Sequence, residues 1–421
     1  MKKSNNRRGF TIVELVIVIA VVAILATVLV PAFGNVIQNA KDSAAKQEAK
    51  NAYTQYMIDH ADEGEMSEYY LYVAEENRVV ALHNGEAVGL YESKDAALKA
   101  MVETSNVGYL EGLGEYIELG YVPLEASGTA ASTTLEYCYD DWTIYQTALK
   151  AGNKEVAERY RERALNYRRL YDKEIGFARP RFRNGEFKPE FDVLQTHGEG
   201  FIEGNSWNFS FHVPHDVYGV INHMGGEKEF LRKLDELFEM HLPEKYYEAN
   251  EDITADCLIG GYVHGNEPSH HIPYLYAWTS QPWKTQYWVR EVMNKMYKNH
   301  IRGLGGNDDC GQMSAWYIFS AMGFYPVCPG SDEYVIGAPY LPYLKLTLDN
   351  GKTLEIKAKG ASDENRYVKS VTLNGKPYTK TFLKHSDLTA GGTLEFVMSS
   401  KPNKRRGIAP ADKPYSLTQG E

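Results

Sequence analysis

The sequence predicts a multi-domain chain. A membrane-spanning amino-terminal helix carries a small α+β head, a helical toroid portion follows, and a small antiparallel β domain comes last. Three observations predict it. An apolar stretch, Phe10–Val30, follows a basic amino terminus. Hydrophobic spacing is helical between Leu110 and Met322, then shifts to a period of two after Tyr334. Composition is uneven along the 421 residues: all six Trp lie between Trp142 and Trp316, and Pro31 alone precedes Pro123. Hydrophobic residues at 43% and charged residues at 24% exclude a disordered or collagen-like chain. A net charge of −11 argues against nucleic acid as a partner, because a phosphate backbone selects a basic face. Cys138, Cys257, Cys310 and Cys328 form no CxxC pair, which disfavours zinc-ribbon and thioredoxin-type sites. Buried thiols and one or two disulfides both fit that spacing.

The amino-terminal element comes first. Lys2, Lys3, Arg7 and Arg8 precede Phe10–Val30, whose only charge is Glu14. A spanning helix needs roughly 20 residues, and the basic flank keeps the amino end cytoplasmic. A secretory signal would have a shorter core and a small-residue cleavage site after it. Here the small residue, Gly9, lies before the core. An ionisable group within a spanning helix costs about 2.5–3.5 kcal/mol or more and marks function. The segment Arg7-Arg8-Gly9-Phe10-Thr11-Ile12-Val13-Glu14 resembles the amino terminus of type IV pilins and pseudopilins. That resemblance implies a leader over 1–9, cut after Gly9 by a prepilin peptidase, and methylation of Phe10. It also implies that Glu14 pairs with the amino terminus of a neighbouring pilin subunit, and that Pro31 kinks the helix. The expected location is a bacterial membrane, cell surface or pilus, with most of the chain extracytoplasmic.

A pilin-like helix and head are expected over 10–97. Asn39–Met57 is rich in helix formers. Tyr69–Val73, Val79–Leu82 and Ala87–Tyr91 read as strands, with His83-Asn84-Gly85-Glu86 as a turn.

Helices are expected at Leu110–Leu119, Thr133–Leu149, Lys154–Leu170, Glu227–His241, Trp283–Asn299 and Met313–Met322. Loops rich in Gly, Pro, Asn and aromatic residues join them, so the chemistry is expected at loop ends of a toroid portion over 98–332. In the β domain, 333–400, Leu344, Leu346 and Leu348 alternate up to Asn350-Gly351, and Leu354, Ile356 and Ala358 alternate beyond it. An Asn-Gly turn between alternating runs signals a hairpin. Asn374-Gly375 offers a second turn. A polar tail over 401–421 is expected to be loose. The glycine pairs at 225–226, 260–261, 305–306 and 391–392 lack phosphate-loop context, which disfavours kinases and dinucleotide enzymes.

Four polar-aromatic clusters stand out: Thr134–Trp142, Glu203–Asp216, His264–His271 and Gly306–Tyr317. Each has a plain structural reading: a solvated acidic face at Glu136, Asp140 and Asp141, a helix cap at Asp216, core histidines at His270 and His271, a turn at Asn307–Asp309. Together they suit sugars, whose apolar faces stack on aromatic rings while carboxyl groups do acid–base work. Glycoside hydrolysis needs two carboxyl groups across the scissile bond, roughly 6.5–9.5 Å apart in an inverting enzyme. Glu203 and Asp309 stand on separate loops and could face each other. His264, His270 and His271 could ligate a metal, but their spacing is uncommon for zinc. Plentiful Asp, Glu and Asn oxygens point to calcium instead.

The segments EGNSWNFSFHVPHD, HGNEPSHHIPYLY and GNDDCGQMSAWYIFSAMGFYPVCPGSDEY resemble glycoside hydrolase family 92, and TTLEYCYDDW fits another segment of it. The resemblance covers about 98–400. It implies a calcium-dependent, inverting exo-α-mannosidase, of α-1,2 type, acting on mannose-containing glycans from an (α/α)6 toroid followed by a β region. By it, Glu203 is the general acid and Asp309 the general base, with Asp308 beside it. Asn266 and Glu267 are calcium ligands. Trp207, His270, His271 and Gln312 line the sugar pocket, and Glu251 meets the leaving sugar. The resemblance starts part-way through the toroid, short of its twelve helices. The alternative is therefore a pilin-like structural surface subunit carrying an inactive mannosidase fragment.

Overall fold

The computed structural model describes residues 46–47, 50, 69–74, 78–83, 86–90, 94–247, 253–348 and 350–419. The expected leader, the span Phe10–Val30 with Glu14, and Glu251 lie outside the described residues. No helix among the described residues is long and apolar enough to cross a membrane. The chain divides into two compact units, one of Met1–Ser105 with Ile144–Glu158, the other of Asn106–Thr143 with Arg159–Glu421.

In the first unit, β1 (Tyr69–Ala74), β2 (Arg78–His83) and β3 (Glu86–Leu90) form an antiparallel meander, Tyr72 opposite Val80. The strands fall where the sequence places them, and the turn residues Asn84 and Gly85 lie outside the described residues. Helix α1 (Lys94–Thr104) follows.

The second unit holds the toroid portion and the β domain. Its helices are α2 (Leu113–Leu119), the start of α3 (Ala130–Ala151), the end of α4 (Lys154–Ala164), α5 (Ser206–Phe209), α6 (Val217–His223), α7 (Glu227–Glu239), α8 (Trp283–Met296) and α9 (Gln312–Met322). Phe230, Leu231, Leu234, Leu237 and Phe238 recur at helical spacing on α7, and all are buried. Each such side chain contributes roughly 1.5–3 kcal/mol of burial. Expected as one helix, Lys154–Leu170 breaks after Ala164 into a 3-10 turn, Asn166–Arg169. Asp141, the buried member of the acidic face, is structural. Arg163 pairs with it at 2.9 Å, and the Tyr116 hydroxyl donates to it at 2.7 Å.

The β domain corrects the expectation of an antiparallel sheet. Strands β4 (Tyr343–Thr347) and β5 (Thr353–Lys359) form the expected hairpin, Leu346 opposite Leu354. Next in chain order come β6 (Tyr367–Leu373), β7 (Lys376–Pro377) and β8 (Gly392–Ser399), and the sheet order is β4-β5-β8-β6-β7. Strand β8 pairs parallel with β5 and antiparallel with β6. The two flanking strands run in opposite directions, so whatever enters between them must be parallel to one. Leu354, Ile356, Leu394 and Phe396 form the sheet's buried face, packed with Met322 and Phe324 from the end of the helical region.

The tail is also corrected: it is bound, not loose. Ser416 Oγ, Thr418 Oγ1 and Thr418 N donate to Asp216 at 2.7, 2.7 and 3.0 Å. Tyr167 adds its hydroxyl at 2.7 Å. Asp216 also caps α6, as its sequence position suggests, accepting from Gly219 N at 3.3 Å. A fully buried carboxylate demands such donors, and the polar tail supplies them. All four cysteines are free thiols, with only Cys310 exposed.

Candidate active site

Two loops of the second unit pass backbone against backbone. A Cβ on Gly306 would stand 2.4 Å from Gly265 Cα, and one on Gly265 would stand 2.8 Å from Cys257 Cβ. Only glycine permits that approach. It brings the Asn266-Glu267 loop beside the Asp308-Asp309 loop. Glu203 arrives on a third loop with φ of +58°, a left-handed backbone that costs a non-glycine residue roughly 1–3 kcal/mol and clusters at functional sites. The loop is anchored two residues later, where Asn205 caps α5 by accepting from Asn208 N at 3.2 Å.

One oxygen each of Glu203, Glu267 and Asp309 lie within 4.8 Å of one another. Glu203 and Glu267 are half-buried, and Asp309 is exposed. Burial, then the charges of Asp309, Glu203 and Asp308, pushes Glu267 up to about 7. Its Oε1 is buried and accepts no hydrogen bond among the described residues. A cluster of acceptors with an orphaned oxygen fits a hard cation with oxygen ligands, as calcium is. Asn266 is buried at the head of the same turn, Glu267–Ser269.

The other expected site residues divide. Asp308 is near Glu267, but both its oxygens are taken: Ser314 N donates to Oδ1 at 2.8 Å and Ser314 Oγ to Oδ2 at 2.6 Å. It holds the start of α9 and leaves Asp309 free to face outward. Gln312 Nε2 donates to the Tyr325 hydroxyl at 2.9 Å. His270 and His271 each commit Nε2 to a backbone carbonyl, of His264 at 2.9 Å and Phe211 at 2.7 Å. Burial pushes them down to about 4 and about 3, the latter helped by the charge of His212, so both stay neutral. His264 lies between the hydroxyls of Tyr262 and Tyr297 at 2.8 and 2.7 Å. Among the described residues these three histidines do not converge as a metal-holding group, so the zinc alternative finds no site. Trp207 corrects its expectation: it is buried, packs 4.7 Å from Phe177 and donates Nε1 to Lys233 O at 3.3 Å, so it serves the core.

Sequence reasoning missed two features. Glu136 pairs with His212, whose other nitrogen meets Pro268 O, beside Glu267. The Gly305-Gly306 pair was visible and already read as no phosphate loop, but its role in the close approach of two loops was not.

The catalytic-domain model of glycosyl hydrolase family 92 matches residues 36–400. The chain belongs to glycosyl hydrolase family 92. The match takes in residues 36–97, which the sequence reading assigns to the pilin-like head. A prokaryotic N-terminal methylation motif matches residues 4–30. Among solved structures, this family 92 chain resembles a family GH92 α-mannosidase of Bacteroides thetaiotaomicron in complex with mannoimidazole. The two are 35% identical with a TM-score of 0.75, over 88% of this chain and 50% of that one. A family GH92 inverting mannosidase of the same organism is 38% identical with a TM-score of 0.71, over 77% of this chain and 46% of that one. An uncharacterized secreted glycosidase of Arthroderma benhamiae is 28% identical over 73% of this chain and 41% of its own length. The chain thus spans about half the length of the proteins it matches, and its fold is a GH92 mannosidase-like one with helical and small β regions.

Proposed function

We propose that this chain is a calcium-dependent, inverting exo-α-mannosidase, of α-1,2 type, that trims mannose from glycans. The observation that carries the reading is the convergence of Glu203, Glu267 and Asp309 from three loops. Glu203 protonates the glycosidic oxygen as its bond to C1 breaks. Asp309 takes a proton from the water whose oxygen attacks C1 from the opposite face. Glu267, with Asn266 beside it, would hold calcium, which when bound supplies positive charge to the sugar hydroxyls and favours ring distortion. The closest oxygens of Glu203 and Asp309 lie within 4.8 Å, shorter than the roughly 6.5–9.5 Å of an inverting pair. The proposal therefore requires the two side chains to part when substrate enters, so that water fits between them.

The full chain is incubated with an α-1,2-linked mannobioside and calcium, and the products are followed by proton NMR. Release of β-mannose first, abolished by chelator, is the expected result. No release, or α-mannose first, would sink the reading. A second reading, a pilin-like surface subunit carrying an inactive mannosidase portion, rests on the methylation motif at residues 4–30. It predicts no turnover from folded protein.

The methylation motif implies pilin-type processing. We infer that the chain is exported and anchored through Phe10–Val30, with cleavage after Gly9 and Glu14 available to other pilin subunits. Mass spectrometry of the native amino terminus tests this. N-methylated Phe10 is expected, and an intact Met1 would count against it.

A further inference from the structure

His212 stands between two acceptors. Its Nδ1 lies 3.0 Å from Pro268 O, and its Nε2 lies 2.8 Å from Glu136 Oε1. The second contact is an ion pair by distance and not an aligned hydrogen bond. A carbonyl and an ionised carboxylate only accept, so a ring facing both is best served by a proton on each nitrogen. Charges around the pair agree. Burial pushes His212 down, but Glu136 more than offsets it and the net shift is upward. For Glu136 burial acts upward, and His212 carries the net shift downward. His271, whose ring lies 5.4 Å from that of His212, and His215 are both held neutral by burial. Asp140 on the same helix is pushed up to about 7 by burial, then by the charges of Glu136 and Asp141.

Pro268 directly follows Glu267 in the Glu267–Ser269 turn. The same turn is held from the same side by Asn208, whose Oδ1 accepts from Ser269 Oγ at 3.2 Å. The turn that aims Glu267 at Glu203 and Asp309 is thus tied to the segment following Glu203, and through His212 to α3. We propose that Glu136 and His212 are a positioning pair in which an imidazolium grips Pro268 O and fixes the direction of Glu267. This rests on the proposed function for its use, though its geometry stands apart from turnover. Partners one step removed from a metal ligand typically contribute about 10–100-fold in metal affinity or activity.

The test uses the full chain with 15N-labelled histidine, the His212 signals assigned with His212→Gln. At pH 7 both His212 nitrogens should be protonated, and in Glu136→Gln the ring should be a neutral single tautomer. Calcium affinity by calorimetry should fall about 10-fold in Glu136→Gln, with the circular dichroism of the fold retained. Should that variant fail to fold, Glu136→Asp gives the same readings with the charge kept, and calcium affinity should fall while His212 stays charged. A neutral His212 in the wild type, calcium affinity unchanged in either variant, or no calcium binding by the wild type would overturn the proposal. Calcium binding without mannoside turnover would instead defeat the proposed function and leave the pair standing.

Discussion

Two carboxylate centres in the second unit obey opposite rules. Asp216 is fully buried and saturated: Tyr167, Ser416, Thr418 and Gly219 all donate to it. The Glu203–Glu267–Asp309 cluster sits nearer solvent and gathers acceptors, one of them a buried oxygen that accepts no hydrogen bond among the described residues. Burial first, then neighbouring charge, moves Glu267 up to about 7. At Asp216 burial acts upward, yet the donors carry its net shift downward. A buried carboxylate whose partners are all protein groups holds the fold. One aimed at other carboxylates is poised for something that arrives.

The largest expected difference is in activity. Glu203→Gln and Asp309→Asn should each lower mannose release by about 100–10,000-fold, the usual share of a general acid or base. Thermal melting should barely change. An equal loss of stability would place these acids with Asp216 and erase the contrast. At the saturated centre, Asp216→Asn should act on stability instead. It leaves converging donors with a weaker acceptor, and the cost is about 1–3 kcal/mol. Denaturant titration checks it, and proteolysis of the tail after Pro402 should accelerate. An unchanged midpoint would mean that the tail does not depend on that carboxylate.

Gly306→Ala should come next. Its Cβ would collide with Gly265 Cα at 2.4 Å, so the two loops must part and Asp309 must move away from Glu267. A displacement near 1 Å can cost about 100-fold in rate, read as kcat/KM against the wild type. The smallest effect is a pH-dependent one. Glu267 titrates higher in the fold than in the unfolded chain, so ionising it weakens the fold as pH rises from about 4.5 to about 7. Glu267→Gln removes that penalty. Without calcium its melting temperature should match the wild type below pH 4.5 and exceed it above pH 7. A difference that does not vary with pH would show that Glu267 is not crowded by charge.

Much of this was legible beforehand. Glu203, Glu267 and Asp309 stand in motifs specific enough to be named from the sequence, and the helices α7, α8 and α9 follow their hydrophobic period. The Asn350-Gly351 hairpin did as well. What escaped depends on contacts between segments far apart in sequence. Nothing in the residues around Glu136 says that His212 will meet it, or that the polar end of the chain will satisfy Asp216. Trp207 shows the converse limit. An aromatic residue in a site motif reads as a sugar platform until the fold shows its ring packed on Phe177. Strand direction escaped too, because alternation marks a strand's face and not its orientation; β8, parallel to β5, makes the sheet mixed.

Calorimetric titration of the full chain with calcium, wild type beside Glu267→Gln, addresses the contrast between the two centres most directly. Uptake of one calcium by the wild type, weakened by at least about 10-fold in Glu267→Gln, is the expected result. No uptake, or equal affinity in both proteins, would contradict a carboxylate cluster built to receive a cation.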